Sequence, residues 1–480
     1  MIKALLSLYS FKFPTVITYM LQASEYNMGA YFKWLGRTKN FNQVIKRKSL
    51  VKTQVSDLVL LGLRLGIIGQ IILGIVIIIL GLKNIFIGGQ YYGLAIIIAY
   101  PLVWPYLIVL LLTIAKVFFI NPRDIKLATV VDDAFRNYSG EVVAVMGSYG
   151  KTSMKEILLT VLKEGKTVRA TPDNKNVVSS QAKFVKTLTG KEDIVLVEYG
   201  EGKPGDITKF AKITYPKFAV ITGLAPVHQD YYKDLNQQAE DLLSISKFVS
   251  SDNIFINNDS ELTKKYMNNI EARSFNQKKV LDWKISDVKI SIHGIKFIMS
   301  KPGRKLSLEA KIIGRHQVTF VAFAVAFADL LGLSDEQIVK GVANIHAYEH
   351  RMQPYQLAEA FIIDDTYNGN IEGIQAGLAL LKELDFKRKI YVTPGLVDQG
   401  RDSAKIHFRI GEMIADTNPD IVVLMKNSVT KYIVNGLESK KFNKELRIEG
   451  NPLEFYLNLK LFVAKGDLVL MQNDWPDNYS

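Results

Sequence analysis

The chain has 480 residues, 48% of them hydrophobic, and a net charge of +13, enough for two or three domains with cores of their own. It contains no cysteine, which excludes disulfides, cysteine-ligated zinc and a thiol nucleophile and fits a reducing compartment. The positive excess is uneven: Lys3, Lys12, Lys33, Arg37, Lys39, Lys46, Arg47, Lys48 and Lys52 face only Glu25 and Asp57 in the first 57 residues. Such a basic arm suits nucleic acid or anionic lipid. The apolar sequence that follows it favours a cytoplasmic membrane surface and argues against nucleic acid.

Residues 1–57 mix Tyr26, Tyr31, Phe32 and Trp34 with that basic charge, which predicts helices lying along a membrane interface or a solvated cytoplasmic tail. Residues 58–82 are almost wholly apolar, interrupted by Arg64 and Gln70, and 91–119 form a second apolar stretch broken by Pro101 and Pro105. Each meets the requirement of about 20 residues for a bilayer-spanning helix, so 58–120 reads as a two-helix transmembrane hairpin. The connection 83–90 holds one positive charge, whereas the flank after the second stretch carries Lys116, Arg123 and Lys126. Both ends are therefore expected in the cytoplasm, in a multi-pass inner-membrane protein whose remaining domains are cytoplasmic. Residues 1–22 show no signal-peptide pattern.

From about residue 141, β-rich runs at 142–146, 194–198, 218–222 and 253–256 alternate with helical stretches such as 207–212 and 237–249. This is the rhythm of a mostly parallel sheet covered by helices. Residues 281–311 predict a small antiparallel addition, and 314–331 predict a helix rich in Ala and Phe. A second alternating unit follows at 360–364, 389–393 and 420–425, which places a domain boundary near 313. The expected fold class is α/β: a P-loop-type, mostly parallel central domain over 135–313 and a Rossmann-like C-terminal domain over 314–480, preceded by two transmembrane helices.

Between the run 142–146 and the helical run 154–163 stand Gly147, Ser148, Tyr149, Gly150, Lys151, Thr152 and Ser153. Strand, glycine loop, Lys-Thr and helix form a phosphate cradle: glycines let backbone N–H groups approach phosphate oxygens, and the helix N-terminus adds its dipole. Lys151 is placed to bridge the β- and γ-phosphates of ATP and Thr152 to hold Mg²⁺. Only two residues separate Gly147 from Gly150, so the loop is shorter than the usual one.

Further motifs follow in order: Thr171-Pro172-Asp173-Asn174-Lys175-Asn176; Glu198-Tyr199-Gly200 with Gly205-Asp206-Ile207; Thr222-Gly223-Leu224 with His228; Ser246-Lys247; Gly314-Arg315-His316; His350-Arg351-Met352; and Asp364-Asp365-Thr366-Tyr367-Asn368-Gly369-Asn370. Over roughly 140–480 this series resembles the Mur ligase superfamily, in pattern its MurF type, which adds D-alanyl-D-alanine to UDP-N-acetylmuramoyl-tripeptide. The resemblance implies an ATP- and Mg²⁺-dependent ligase that activates a muropeptide carboxylate as an acyl phosphate and joins it to an amino acid or dipeptide.

By the same resemblance, Glu198 and His228 would hold a second Mg²⁺ with a carbamylated Lys247. Arg351 would contact the γ-phosphate, Asp365 the ribose and Gln317 the adenine. Asn174, Asn176, Asn368, Asn370 and His407 would face substrate. Three departures stand out. The N-terminal domain that grips the UDP-sugar is replaced by the apolar hairpin, leaving open a UDP-linked or a lipid-linked acceptor. The family's H-N-x-x-N reads His316-Gln317-Val318-Thr319-Phe320, and its late K-G-S segment reads Met471-Gln472-Asn473-Asp474. A polyglutamate-type or amidating relative, and a catalytically degenerate nucleotide-sensing scaffold, are the alternatives.

Overall fold

The computed structural model describes residues 8–24, 26–38, 41–44, 50–116, 118, 121–172, 176–227, 231–267, 270–367, 369–396, 399 and 402–473. These fall into two compact units, Met1–Arg123 and Asp124–Pro476.

The first unit is helical. Helix Gln54–Leu82 starts at a reciprocal cap, with Thr53 Oγ1 accepting from the Ser56 N–H and Ser56 Oγ from the Thr53 N–H. It is 29 residues long, an 18-residue stretch of it has a mean hydropathy of 2.8, and Leu58, Leu61, Leu65, Ile68, Ile72 and Ile79 are exposed along it. It is long and apolar enough to cross a membrane. The single second span expected over 91–119 is instead a pair, Gly89–Ile98 and Tyr100–Ile114, bent by 63°. Pro101 in the first turn of the second helix explains the break, since its ring and missing N–H cannot continue a preceding helix. Side chains satisfy carbonyls at the bend: Gln70 Nε2 donates to Ile96 O at 2.6 Å and the Tyr9 hydroxyl to Ile98 O at 2.8 Å. A Cβ on Gly93 would lie 2.4 Å from Gly74 O, so the two arms meet backbone to backbone. Helices Phe13–Ala23 and Met28–Arg37 pack Phe13, Ile17, Met20 and Tyr31 against Leu63, Ile108 and Val109, which makes this segment part of a core rather than a solvated tail.

The second unit begins with a six-stranded sheet. Its strands are β1 (Glu141–Met146), β2 (Val168–Ala170), β3 (Ile194–Glu198), β4 (Phe218–Ile221), β5 (Ile254–Asn257) and β6 (Arg273–Phe275). Their order is β2-β3-β1-β4-β5-β6, and every pairing is parallel. Alternate residues of β1 serve the two faces: Val143 and Val145 enter one core, and Val142, Ala144 and Met146 the other. The central position of β1 between β3 and β4 brings the segments after all three strands to one edge, where ligands of open α/β sheets bind.

The antiparallel addition follows as β7 (Lys279–Val280), β8 (Trp283–Ser291), β9 (Gly294–Lys301) and β10 (Arg304–Ala310), a meander in the order β10-β9-β8-β7. Helices Arg315–Leu330 and Asp335–Ala343 come next. Phe320, Phe323 and Phe327 sit in the same core as Val143, Phe255 and Trp283. One hydrophobic core therefore continues across the boundary expected near 313, because the Ala/Phe-rich helix is buried on the first sheet. The last sheet comprises β11 (Gln353–Leu357), β12 (Ala360–Asp365), β13 (Arg388–Thr393), β14 (Ile421–Met425), β15 (Glu445–Glu449) and β16 (Asp467–Gln472). Its order is β11-β12-β16-β13-β14-β15, parallel except for β11 against β12.

Candidate active site at the phosphate loop

The loop after β1 has the backbone its glycines permit. Gly147 has φ +132° and Gly150 φ +73°, the latter as N-cap of helix Lys151–Leu162. Both are also sterically locked: a Cβ on Gly147 would lie 2.4 Å from Thr222 Oγ1, and one on Gly150 2.5 Å from Phe320 Cζ. Phe320, where the family pattern has an asparagine, thus packs against the loop. The loop is tied to the chain after β4. Ser148 N–H donates to Gly223 O at 2.9 Å, and the Thr222 hydroxyl donates to Met146 O and Tyr149 O. Tyr149 lies against Gly223, with its hydroxyl pushed up to about 12 by burial. Ser148 Oγ accepts from Gln238 Nε2 at 3.0 Å, and Lys151 Nζ folds back to donate to Gly147 O at 2.5 Å.

Glu198 stands at the C-terminal end of β3, only 1% exposed. Its Oε2 accepts from Thr152 Oγ1 at 3.0 Å and its Oε1 from Asn176 Nδ2 at 3.3 Å. Lys155 Nζ, wholly buried, lies 3.4 Å from Glu198 Oε2 and donates to Thr171 O at 2.6 Å. From beyond the antiparallel addition, Arg351 Nη2 donates to Thr152 Oγ1 at 3.5 Å while its guanidinium stacks 4.1 Å from the Tyr367 ring centre. Beside Lys151 lies Glu201, 3% exposed, with Oε1 3.8 Å from Lys151 Nζ. Burial pushes its carboxyl up to about 7 against the pull of Lys151. Asp241 is buried too, accepting from the Gly205 N–H at 2.8 Å and the Tyr232 hydroxyl at 2.9 Å. Glu198 and Thr152 offer hard oxygen donors of the kind Mg²⁺ takes alongside phosphate oxygens. Among the described residues, no group of three or more His, Asp or Glu forms a cage by itself.

The other expected site residues separate. Asn176 reaches Glu198, whereas Asn174, His228 and Asn368 lie outside the described residues. Lys247 does not occupy the middle of a helix over 237–249. The helix is Leu235–Leu243, and Lys247 ends the 3-10 turn Ser244–Lys247 with its side chain exposed. Among the described residues, nothing brings Lys247 to Glu198 or Thr152, and the buried lysine beside Glu198 is Lys155.

His407 is likewise internal. Its Nε2 accepts from the Leu396 N–H at 3.0 Å and its Nδ1 donates to Ser403 O at 2.6 Å, so both nitrogens are used in holding the loop after β13. Asn370 caps helix Ile371–Glu383 by accepting from the Gly373 N–H at 2.9 Å. Asp365 accepts from the Met352 N–H at 3.2 Å and Gln472 Nε2 at 2.9 Å, and burial pushes its carboxyl up to about 7. It anchors the turn that carries Arg351, and Gln472 is part of that anchor. Gln317 is buried with Oε1 unpaired, in a small gap lined also by Ser153, Tyr348, Arg351 and Met352.

Sequence reasoning missed Lys155, Glu201 and Asp241. Lys155 carried a signal, falling one turn after Lys151 on the helix face that buries Met154, Leu158 and Leu162.

Residues 145–328 match the family model described as Mur ligase middle domain. The UDP-N-acetylmuramoyl-tripeptide–D-alanyl-D-alanine ligase of Buchnera aphidicola from Acyrthosiphon pisum is 25% identical over 348 residues, covering 68% of this chain and 75% of that enzyme. The ligase of the same name from Escherichia coli K12 is 27% identical over 277 residues, covering 56% of this chain and 61% of the enzyme. In fold, the chain is similar to the MurF ligase of Thermotoga maritima in complex with ADP, with a TM-score of 0.63 at 23% identity, over 73% of this chain and 80% of that one.

Proposed function

The chain belongs to the Mur ligase superfamily, and from that premise we propose that it is an ATP-dependent amide ligase of peptidoglycan precursor synthesis. It would join D-alanyl-D-alanine, or a related amino acid or dipeptide, to the carboxylate of a UDP-linked muramoyl-peptide. The observation that carries this reading is the approach of Arg351, from the segment leading into the last sheet, to Thr152 of the phosphate loop, whose hydroxyl also meets Glu198.

The chemistry follows from that arrangement. Loop N–H groups and the helix N-terminus take the phosphates, and Lys151 turns from Gly147 O to bridge the β- and γ-phosphates. Arg351 faces the transferring phosphoryl group, where negative charge spreads in the transition state. Glu198 and Thr152, with His228, would hold Mg²⁺, which when bound polarises the phosphoryl oxygens. The acceptor carboxylate oxygen attacks the γ-phosphorus and ADP leaves with the bridging oxygen. The amine then attacks the acyl carbon, and the tetrahedral intermediate collapses to the amide, releasing inorganic phosphate and the amine's proton. Lys155 would hold Glu198 in place through both steps.

We also place the first unit in the cytoplasmic membrane, with the second unit on its cytoplasmic side. This rests on the exposed apolar surface of helix Gln54–Leu82. That surface favours a second reading in which the acceptor is lipid-linked, since tethering raises its effective concentration at the active site. Phosphate release by detergent-purified protein with ATP, Mg²⁺ and D-alanyl-D-alanine tests both, with UDP-linked and lipid-linked muramoyl-tripeptide compared and Lys151→Ala as control. Release with the UDP-linked acceptor alone supports the first reading, and release with the lipid-linked acceptor alone the second. Release with neither refutes both.

A further inference from the structure

We propose that Glu201 is a ligand for a divalent cation shared with the terminal phosphate of the bound nucleotide, supplying the anionic oxygen without a carbamylated lysine. The proposal rests on the nucleotide-dependent reading of the site above.

The two carboxylates near the phosphate loop differ in what they have left to give. Both oxygens of Glu198 are engaged, by Thr152 and Asn176, with Lys155 alongside. Glu201 is as deeply buried, yet among the described residues neither of its oxygens has a close hydrogen-bond partner; the Ser148 hydroxyl and Lys151 lie alongside and only partly offset its burial. Buried polar groups without partners are rare in native folds, and where they occur they commonly await a ligand or ion.

Glu201 is nonetheless held in place by its neighbours. Asp206 Oδ2 accepts from the Gly202 N–H at 3.1 Å and the Lys203 N–H at 3.0 Å. Asp241 Oδ1 accepts from the Gly205 N–H at 2.8 Å. The turn after β3 is thus pinned on both sides, and Glu201 is presented beside the loop.

Among the described residues its one nearby cation is Lys151, 3.8 Å away, whose ammonium also donates to Gly147 O. When Lys151 moves to the phosphates, Glu201 is left facing an anion in a site with little water. A buried carboxylate facing a phosphate either takes up a proton or shares a cation with it, and the phosphate brings such a cation with it. The groups available are a carboxylate, the Ser148 hydroxyl and phosphate oxygens. An all-oxygen set of this kind selects Mg²⁺ or Mn²⁺, and Mg²⁺ is usually held by one or two carboxylates together with substrate phosphates. Lys247, the one lysine for which carbamylation was expected, is exposed on its 3-10 turn. Glu201 provides an encoded carboxylate at the loop itself.

The test is a count of bound Mn²⁺ by electron paramagnetic resonance on full-length detergent-purified protein, with saturating β,γ-imido-ATP. Circular dichroism melts serve as the folding check. The wild type should bind one more Mn²⁺ than Glu201→Gln, or bind it at least about tenfold tighter, and Glu201→Asp should recover part of the difference. Lys247→Ala and bicarbonate-free buffer should leave the wild-type count unchanged. Equal Mn²⁺ count and affinity in the wild type and Glu201→Gln overturns the proposal, as does loss of the ion in Lys247→Ala or without bicarbonate. Failure of the wild type to bind the nucleotide analogue overturns the ligase reading itself, an outcome distinct from nucleotide binding with an unchanged metal count.

Discussion

Lys155 offers the sharpest test of how the site is held together. It is wholly buried, 3.4 Å from Glu198 and 2.6 Å from the Thr171 carbonyl. Lys155→Met keeps a side chain of similar length but leaves Glu198, among the described residues, with only the neutral donors Thr152 and Asn176, and leaves the Thr171 carbonyl without this donor. At that separation and an effective dielectric of about 20, the gross attraction is about 5 kcal/mol. Removing one partner of a buried pair costs about 3–5 kcal/mol, because the other charge stays buried. For a unit of this size a kcal/mol corresponds to roughly 2 °C, so the melting temperature should fall by about 6–10 °C in EDTA. The double variant Lys155→Met/Glu198→Gln removes both charges and should be less destabilised than the sum of the single variants by at least about 1 kcal/mol. Thermal melts of the wild type, the two single variants and the double variant complete the cycle. A Lys155→Met melting temperature within about 1 °C of the wild type, or strict additivity in the cycle, would refute the claim that Lys155 and Glu198 act as a pair.

Three other outcomes follow from the geometry. Gly150→Ala places a Cβ 2.5 Å from Phe320 at φ +73°, so nucleotide affinity measured by calorimetry should collapse; Phe320→Ala in the same chain should not restore it, because the backbone strain remains. His407→Phe removes the acceptor of the Leu396 N–H and should cost about 1–3 kcal/mol in urea unfolding while leaving KM for the acceptor unchanged; a raised KM would return His407 to the substrate site. For Asp365, burial lifts the folded carboxyl to about 7 from an unfolded value near ~3.9, so the folded state binds the extra proton in between. Its contribution to stability should therefore decline as pH rises from about 4 to about 7 and then level off, and Asp365→Asn should show a shallower decline than the wild type in urea midpoints taken across the range, the part due to Glu201 remaining; parallel profiles would show that Asp365 does not contribute.

What the sequence revealed and what it hid divide along physical lines. The phosphate loop was legible because its requirements are local: glycines at the two positions of positive φ, a strand before and a helix after. The strand ending in Glu198 and the Ala/Phe-rich helix were legible for the same reason, each being a continuous run of one period. The partners were not. Choosing Lys247 over Lys155 depended on a two-residue match, and nothing in such a match says that the chain turns into a 3-10 segment and exposes the side chain. For His407 and Asn370 the structure shows backbone partners, and an imidazole or an amide that satisfies backbone groups looks the same in sequence as one that meets a ligand. What the sequence does not show near 313 is that helix Arg315–Leu330 joins the first core through contacts with residues far back in the chain. The kink after Ile98 was foreshadowed by Pro101, but the side chains that satisfy it, Gln70 and Tyr9, come from distant segments.

The two lysines of the phosphate-loop helix divide the electrostatic work. Lys155 faces Glu198 with no exposure at all, so its ammonium is closed to solvent. Lys151 retains 15% exposure and stands farther from its carboxylate, 3.8 Å from Glu201 with no hydrogen bond between them. On the proposed reading, an arriving triphosphate would offer Lys151 shorter, charge-assisted bonds and take it from Glu201 without disturbing Lys155. The loop can therefore stay folded and charge-balanced when empty and still release one cation to the nucleotide. A site with both pairs locked would bind phosphate poorly. With both pairs loose, Glu198 would be unheld at the moment its orientation matters.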